Sequence, residues 1–293
     1  MKQLVFFLLL VSLISSCQKA KENAGTEESK AFTVERNTFF ANLLAPAEAA
    51  ARIQATAAEF NASLMNDPKI YAQYAGNEVK AAANMGIYLS DLNYSAAYSQ
   101  KDHVKEYFTA SYELSKAVGG ERAMLEFVAK RYTENLENND SARSVVTDLL
   151  IKSTRDLQGT EKEKLAGIAM AAYQIENLHL ALGMLQSYPK DMLPEDARTV
   201  ILVPLFKMVL TQQTNVENIY SYLKTLADPQ NPDQNPNYPY YANAFEELIA
   251  VYKKLNVNEK IANNQGLELM NDAVVLELSQ KVDAIRSKIV SAE

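Results

Sequence analysis

One cysteine, two histidines and no tryptophan occur among 293 residues, with only nine glycines and nine prolines. A single cysteine permits no internal disulfide, so the fold must rest on packing alone. Strict apolar–polar alternation is missing, and so are Asn-Gly and Asp-Gly turns, which argues against β-hairpins. No run of basic residues offsets the formal net charge of −7. Nucleic acid is therefore excluded as a partner, since phosphate binding needs clustered Lys and Arg. Gly-x-Ser-x-Gly, His-Glu-x-x-His and Gly-rich phosphate loops are all lacking, so we expect neither an enzyme nor a bound cofactor. What is present is apolar bulk, 48% of the chain, enough for a substantial core.

The N-terminus carries the most specific signal. Lys2 precedes an apolar run over residues 4–13, broken only by Ser12, and Ile14-Ser15-Ser16-Cys17 follows. A run this short is a secretory h-region, because a spanning helix needs about 20 apolar residues. The four residues ending at Cys17 resemble the bacterial lipobox. That resemblance implies cleavage before Cys17, a diacylglyceryl group on its sulfur and an acylated amine. Two or more acyl chains hold a protein on a membrane, at about 0.8 kcal/mol per buried methylene. Residues 17–36 are polar and without apolar periodicity, and read as a flexible lipidated tether with a reach of roughly tens of Å.

From residue 37 to 293 apolar residues recur at three and four, as in Leu267, Met270, Val274, Leu278, Val282, Ile285 and Ile289. That period predicts amphipathic helices. Start and stop signals divide the domain into about ten of them, near 46–65, 69–98, 102–118, 121–136, 140–157, 161–187, 194–213, 215–227, 238–255 and 264–290. Gly119-Gly120 suits a helix end and Thr160 with Glu163 a capping box. Pro204 should bend its helix near Val200. Residues 228–239, rich in Asn-Pro, predict the one long loop. The fold class expected is all-α, an array or bundle. At an offset of 85 residues, Tyr88 aligns with Tyr173, Asp91 with Glu176 and Tyr94 with His179, which suggests two similar halves, 37–158 and 159–293. A 34-residue period is absent, so the tetratricopeptide family is not implied.

The lipobox, the tether and the helix Asn84-Met85-Gly86-Ile87-Tyr88-Leu89-Ser90-Asp91-Leu92-Asn93-Tyr94 together resemble a group of uncharacterised all-helical lipoproteins of Bacteroidetes. The resemblance implies a helical fold at the cell envelope, on the outer membrane, and brings no catalytic residues.

Candidate sites are few. Glu176-x-x-His179 has the spacing of half a di-iron motif, but its counterpart Asp91-x-x-Tyr94 lacks an imidazole. A polar pair on a partly buried helix fits it better than a metal site, so no metal is expected. Asp91 and Glu176 form a paired-carboxylate candidate for acid–base chemistry. The plainer expectation is that each bonds a Tyr hydroxyl or a Lys. Asp233-x-Asn235-x-Asn237 opens like a calcium loop, yet Tyr238 replaces its glycine and Ala244 its closing Glu. Tyr238, Tyr240 and Tyr241 offer either helix packing or a contact surface. The expected function is a lipid-anchored binding or scaffolding module with an envelope protein partner. The alternative is a small-ligand cavity near Tyr88, Asp91, Tyr94, Tyr173, Glu176 and His179.

Overall fold

Small residues set the centre of the molecule. Ala81, Ala82, Ala83 and Gly86 open one helix, and Ala166, Gly167, Ala169, Ala171 and Ala172 open another. The computed structural model describes residues 58–120, 160, 162–187, 205–226, 238–256, 259 and 273–291. These fall in one compact unit, Phe39–Glu293. Six helices of three or more turns are described: α1 (Glu78–Ala97), α2 (Lys101–Val118), α3 (Glu163–Ser187), α4 (Gln213–Leu226), α5 (Tyr238–Leu255) and α6 (Ala273–Val290). A shorter helical stretch covers 205–211. The protein is all-α, with no strand among the described residues.

The helix count departs from the expected ten: seven α-helical segments are found among the described residues. Two differences have a local cause. The helix expected over 46–65 is not α-helical in its described part, where Asn61 is extended and Ala62–Leu64 make a single 3-10 turn. The helix expected over 69–98 is divided. Pro68–Gln73 forms a 3-10 segment, and α1 starts afresh because the Asn77 side chain accepts hydrogen bonds from the Val79 and Lys80 amides. An N-cap of this kind satisfies orphan donors of the first turn, and it outweighs the continuing apolar period. The segments at 121–136 and 140–157, the bend near Val200 and the loop at 228–237 lie outside the described residues.

Other ends follow the signals. Gly119 terminates α2 in the left-handed region at φ 78°, and the Gly120 amide donates to Ser115 O at 2.9 Å. Thr160 Oγ1 accepts from the Lys162 amide ahead of α3.

Every residue from 81 to 97 in α1 is buried, and α3 is buried continuously from 165 to 176. Helices enclosed all round belong to a core. α1 and α3 pack on each other, with α2 against α1, α4 and α6 against α3, and α5 against α4 and α6. The two central helices approach so closely at Gly86 that any Cβ there would overlap the Ala169 carbonyl. They run in the same direction, since Gly86 meets Ala169 and Ser90 donates to Asn177. The outer helices bury single stripes, such as Val275, Leu278, Val282, Ile285 and Ile289 of α6. The last turn of α6 is fixed by Tyr74 Oη donating to Val290 O (2.8 Å) and Asn84 Nδ2 donating to Ile289 O (2.9 Å). Terminal carbonyls thus find partners, and Arg286, one turn earlier, is held towards α3. Among the described residues no helix is long and apolar enough to cross a membrane.

Candidate functional site

Positions three apart share a helix face. Tyr88, Asp91 and Tyr94 therefore line one face of α1, and Tyr173, Glu176 and His179 one face of α3. The close crossing at Gly86 sets the two rows beside each other. Asp91 and Glu176 come close enough there to interact, and both side chains are fully enclosed. Among the described residues neither bonds a Tyr or a Lys, which corrects the plainer expectation for this pair. Glu176 is instead clasped by Arg286 of α6, with Nε at 2.6 Å from Oε2 and Nη2 at 2.9 Å from Oε1. Such a two-point guanidinium–carboxylate pair is among the stronger hydrogen-bonded contacts.

Burial above all, and then the neighbouring Glu176 charge, hold the Asp91 carboxyl well above the usual carboxylate range, against the opposing pull of Arg286. Like charges this close cannot both ionise readily. The protonated form is favoured at Asp91, and the ionic partner of Arg286 is Glu176. Burial would lower the Arg286 pKa, but Glu176 and Asp91 more than offset it and raise it.

His179 lies one turn beyond Glu176. Its Nδ1 is 2.8 Å from Asp283 Oδ1 and its Nε2 3.1 Å from Leu64 O. A carbonyl oxygen only accepts, so the contact to Leu64 is made by an Nε2–H of the ring. Arg286 Nη2 reaches the same Leu64 carbonyl at 3.2 Å. With Glu176 committed to Arg286 and His179 to Asp283 and Leu64, the half di-iron spacing has no ligand to offer. Among the described residues no group of three or more His, Cys, Asp or Glu is arranged to hold a metal ion.

A segment without α-helix, residues 58–67, lies over this cluster like a strap. Asp91 Oδ2 accepts from the Asn66 amide at 3.2 Å. Tyr88 donates to Asp67 O (2.9 Å), Tyr107 to Asn66 O (2.7 Å) and Tyr98 to Ala58 O (2.8 Å), while Tyr94 Oη accepts from the Asn61 amide (2.9 Å). Burial first, and acidic neighbours after it, raise the Tyr88 and Tyr107 hydroxyls above their ordinary range, so both remain donors. Tyr173 takes no part in the strap. Its hydroxyl accepts from Asn93 Nδ2 at 2.6 Å, between α1 and α3. Five of the six candidate residues thus meet at one place, and the strap lies across them.

Sequence reasoning missed Arg286, Asp283, Tyr107 and Asn66. Arg286 had a signal: it stands four residues after Val282 and three before Ile289, inside the apolar stripe of α6. Asn66 had none, because its amide and carbonyl make the contacts.

A second feature is open to solvent. A groove of about 580 Å³ runs between α5 and α6, lined by Tyr240, Glu247, Glu277, Lys281 and Lys288 among others. Lys281 pairs with Glu247 at 2.8 Å, and Lys288 Nζ lies 5.0 Å from the Tyr240 ring centre. Of the tyrosine cluster, Tyr241 is core and Tyr240 is half-buried on the groove, the rings meeting edge to face at 5.4 Å. The Tyr238 side chain and Asp233, Asn235 and Asn237 lie outside the described residues. Comparison with protein-family models, curated proteins and solved structures finds no match for the chain.

Proposed function

We propose that the chain is a lipid-anchored helical binding module of the cell envelope. Lipid on Cys17 holds it on the membrane, residues 17–36 act as the tether, and the helical body engages an envelope protein. The observation that carries the binding reading is the contrast between the enclosed and open ionic groups. The central acids and bases are engaged with one another and with the strap, which leaves them no free catalytic group. The α5–α6 groove instead presents to solvent a tyrosine ring, a residue enriched in protein interfaces, within a charged rim. The resemblance to helical Bacteroidetes lipoproteins supports an outer-membrane location, and the net negative charge argues against nucleic acid.

The test has two readouts. Mass analysis of the N-terminal peptide from membranes should find Cys17 as the acylated first residue, and Cys17→Ala should free the chain from the membrane fraction. A photo-crosslinker placed at Tyr240 should capture an envelope protein. An unmodified Cys17 peptide would remove the anchor, and no crosslink from Tyr240 would remove the binding surface.

A further inference from the structure

The contacts on residues 58–67 share a property that packing alone does not require: they address the main chain. Seven side chains from α1, its C-terminal end, α2, α3 and α6 reach backbone atoms of the strap. Tyr98 donates to Ala58 O, Tyr94 accepts from Asn61 N, and Arg286 and His179 both donate to Leu64 O. Asp91 accepts from Asn66 N, Tyr107 donates to Asn66 O, and Tyr88 donates to Asp67 O. Donors and acceptors are matched to the alternation of carbonyl and amide along a peptide. The strap's backbone is extended at Asn61, Met65 and Asp67, with one 3-10 turn at Ala62–Leu64.

The chemistry at Leu64 exceeds what a neutral carbonyl in a simple crossover needs. A guanidinium and an imidazole converge on one oxygen, backed by a buried ionic pair. Buried ion pairs are poor sources of stability, because desolvation offsets their attraction. Recognition of main-chain groups is what such an arrangement does well, as in peptide grooves where backbone hydrogen bonds supply affinity. The strap's own side chains also pack: Phe60 meets Tyr94, Tyr98 and His103 (ring centres 5.2, 5.6 and 5.6 Å), Met65 Sδ accepts from Ser95 Oγ, and Leu64 sits against Gly183; the seven contacts to its main chain come in addition to these.

We infer that the cleft between α1, α2, α3 and α6 is a receptor for a short peptide main chain, and that residues 58–67 occupy it as a ligand in cis. A segment of another polypeptide with the same pattern of free carbonyls and amides would compete for the cleft once the strap leaves. This site is distinct from the α5–α6 groove, and the inference stands whether or not Cys17 is lipidated. A tethered ligand has a high effective concentration, so the unaltered chain should resist competitors.

The experiment uses the full chain in detergent and a fluorescent synthetic peptide with the sequence of residues 58–70. Phe60→Ala with Leu64→Ala weakens the strap while leaving all seven cleft side chains in place. Both positions are only half-buried, and Phe60→Ala alone serves if the double variant does not fold. The variant should bind the peptide at least tenfold more tightly than the unaltered chain and recover its melting temperature on binding. A peptide N-methylated at Asn66, which has the same side chains but no amide hydrogen for Asp91, should bind at least tenfold more weakly. A folded variant that ignores the peptide would overturn the inference, as would equal binding of the methylated peptide, which would mean side-chain packing alone.

Discussion

Helix α6 carries ionic groups on two faces, and the two behave differently. On one face Arg286 meets Glu176, with 15% and 0% of their side chains exposed. On the other Lys281 meets Glu247, with 34% and 63% exposed. The distances are alike, 2.6 and 2.8 Å. Solvent is what separates them. Water screens the outer pair and replaces either partner at little cost, whereas the inner pair has no substitute for a lost partner. The inner face therefore fixes one arrangement of α1, α3, α6 and the strap. The outer face can exchange its ionic partners with water, which suits the binding role proposed for it.

The comparison breaks most visibly at Arg286. Arg286→Met strands the Glu176 charge in the core and should destabilise by about 3–5 kcal/mol, read from urea unfolding. Adding Glu176→Met should restore most of that loss, since a well-packed apolar pair often substitutes for a buried ionic one. If the double variant is as unstable as the single, the pair is needed for more than mutual neutralisation. Gly86→Ala tests the approach that brings Asp91 to Glu176. The obstructing atom is backbone, so the clash should outweigh the gain in helix propensity and lower stability by about 1–3 kcal/mol.

Asp91→Asn gives a pH signature rather than a large loss. The native carboxyl keeps its proton above the ordinary value of 3.8, while the unfolded chain releases it. The native state then binds more protons, so this group's contribution to stability falls as pH rises from about 4 towards the raised native value. Asparagine can accept from the Asn66 amide and donate to Glu176 without titrating. Melts from pH 4 to 8 should thus decline less steeply for the variant, and an unchanged slope would place the proton elsewhere. At the small end, Lys281→Ala should alter stability by less than about 1 kcal/mol and the difference should shrink further in salt. A loss as large as that of Arg286→Met would erase the distinction between the faces.

Particular elements show what sequence reading reaches. The end of α2 follows from Gly119, because caps and breakers act within a turn of where they stand. The three-residue spacing of Tyr88, Asp91 and Tyr94, and of Tyr173, Glu176 and His179, places each row on one face before any contact is known. The start of α1 was misread because a continuous apolar pattern hid the Asn77 cap. Arg286 was passed over although it interrupts an apolar stripe, a signal worth weighing whenever a charge sits at a core register. The strap was beyond reach for another reason: its partners are amides and carbonyls, which every residue possesses.

The amino-acid pattern alone dictates that this chain is helical, that two of its helices open with small residues suited to close contact, and that one carries Asp91 and the other Glu176. Those are local properties, set by periods of three and four and by residue size. Tertiary structure decided that Asp91 is buried beside Glu176, that Arg286 arrives from about a hundred residues away to balance the charge, and that tyrosines fasten residues 58–67 above them. Such choices depend on which groups lose their water together, and that is settled only when the helices pack.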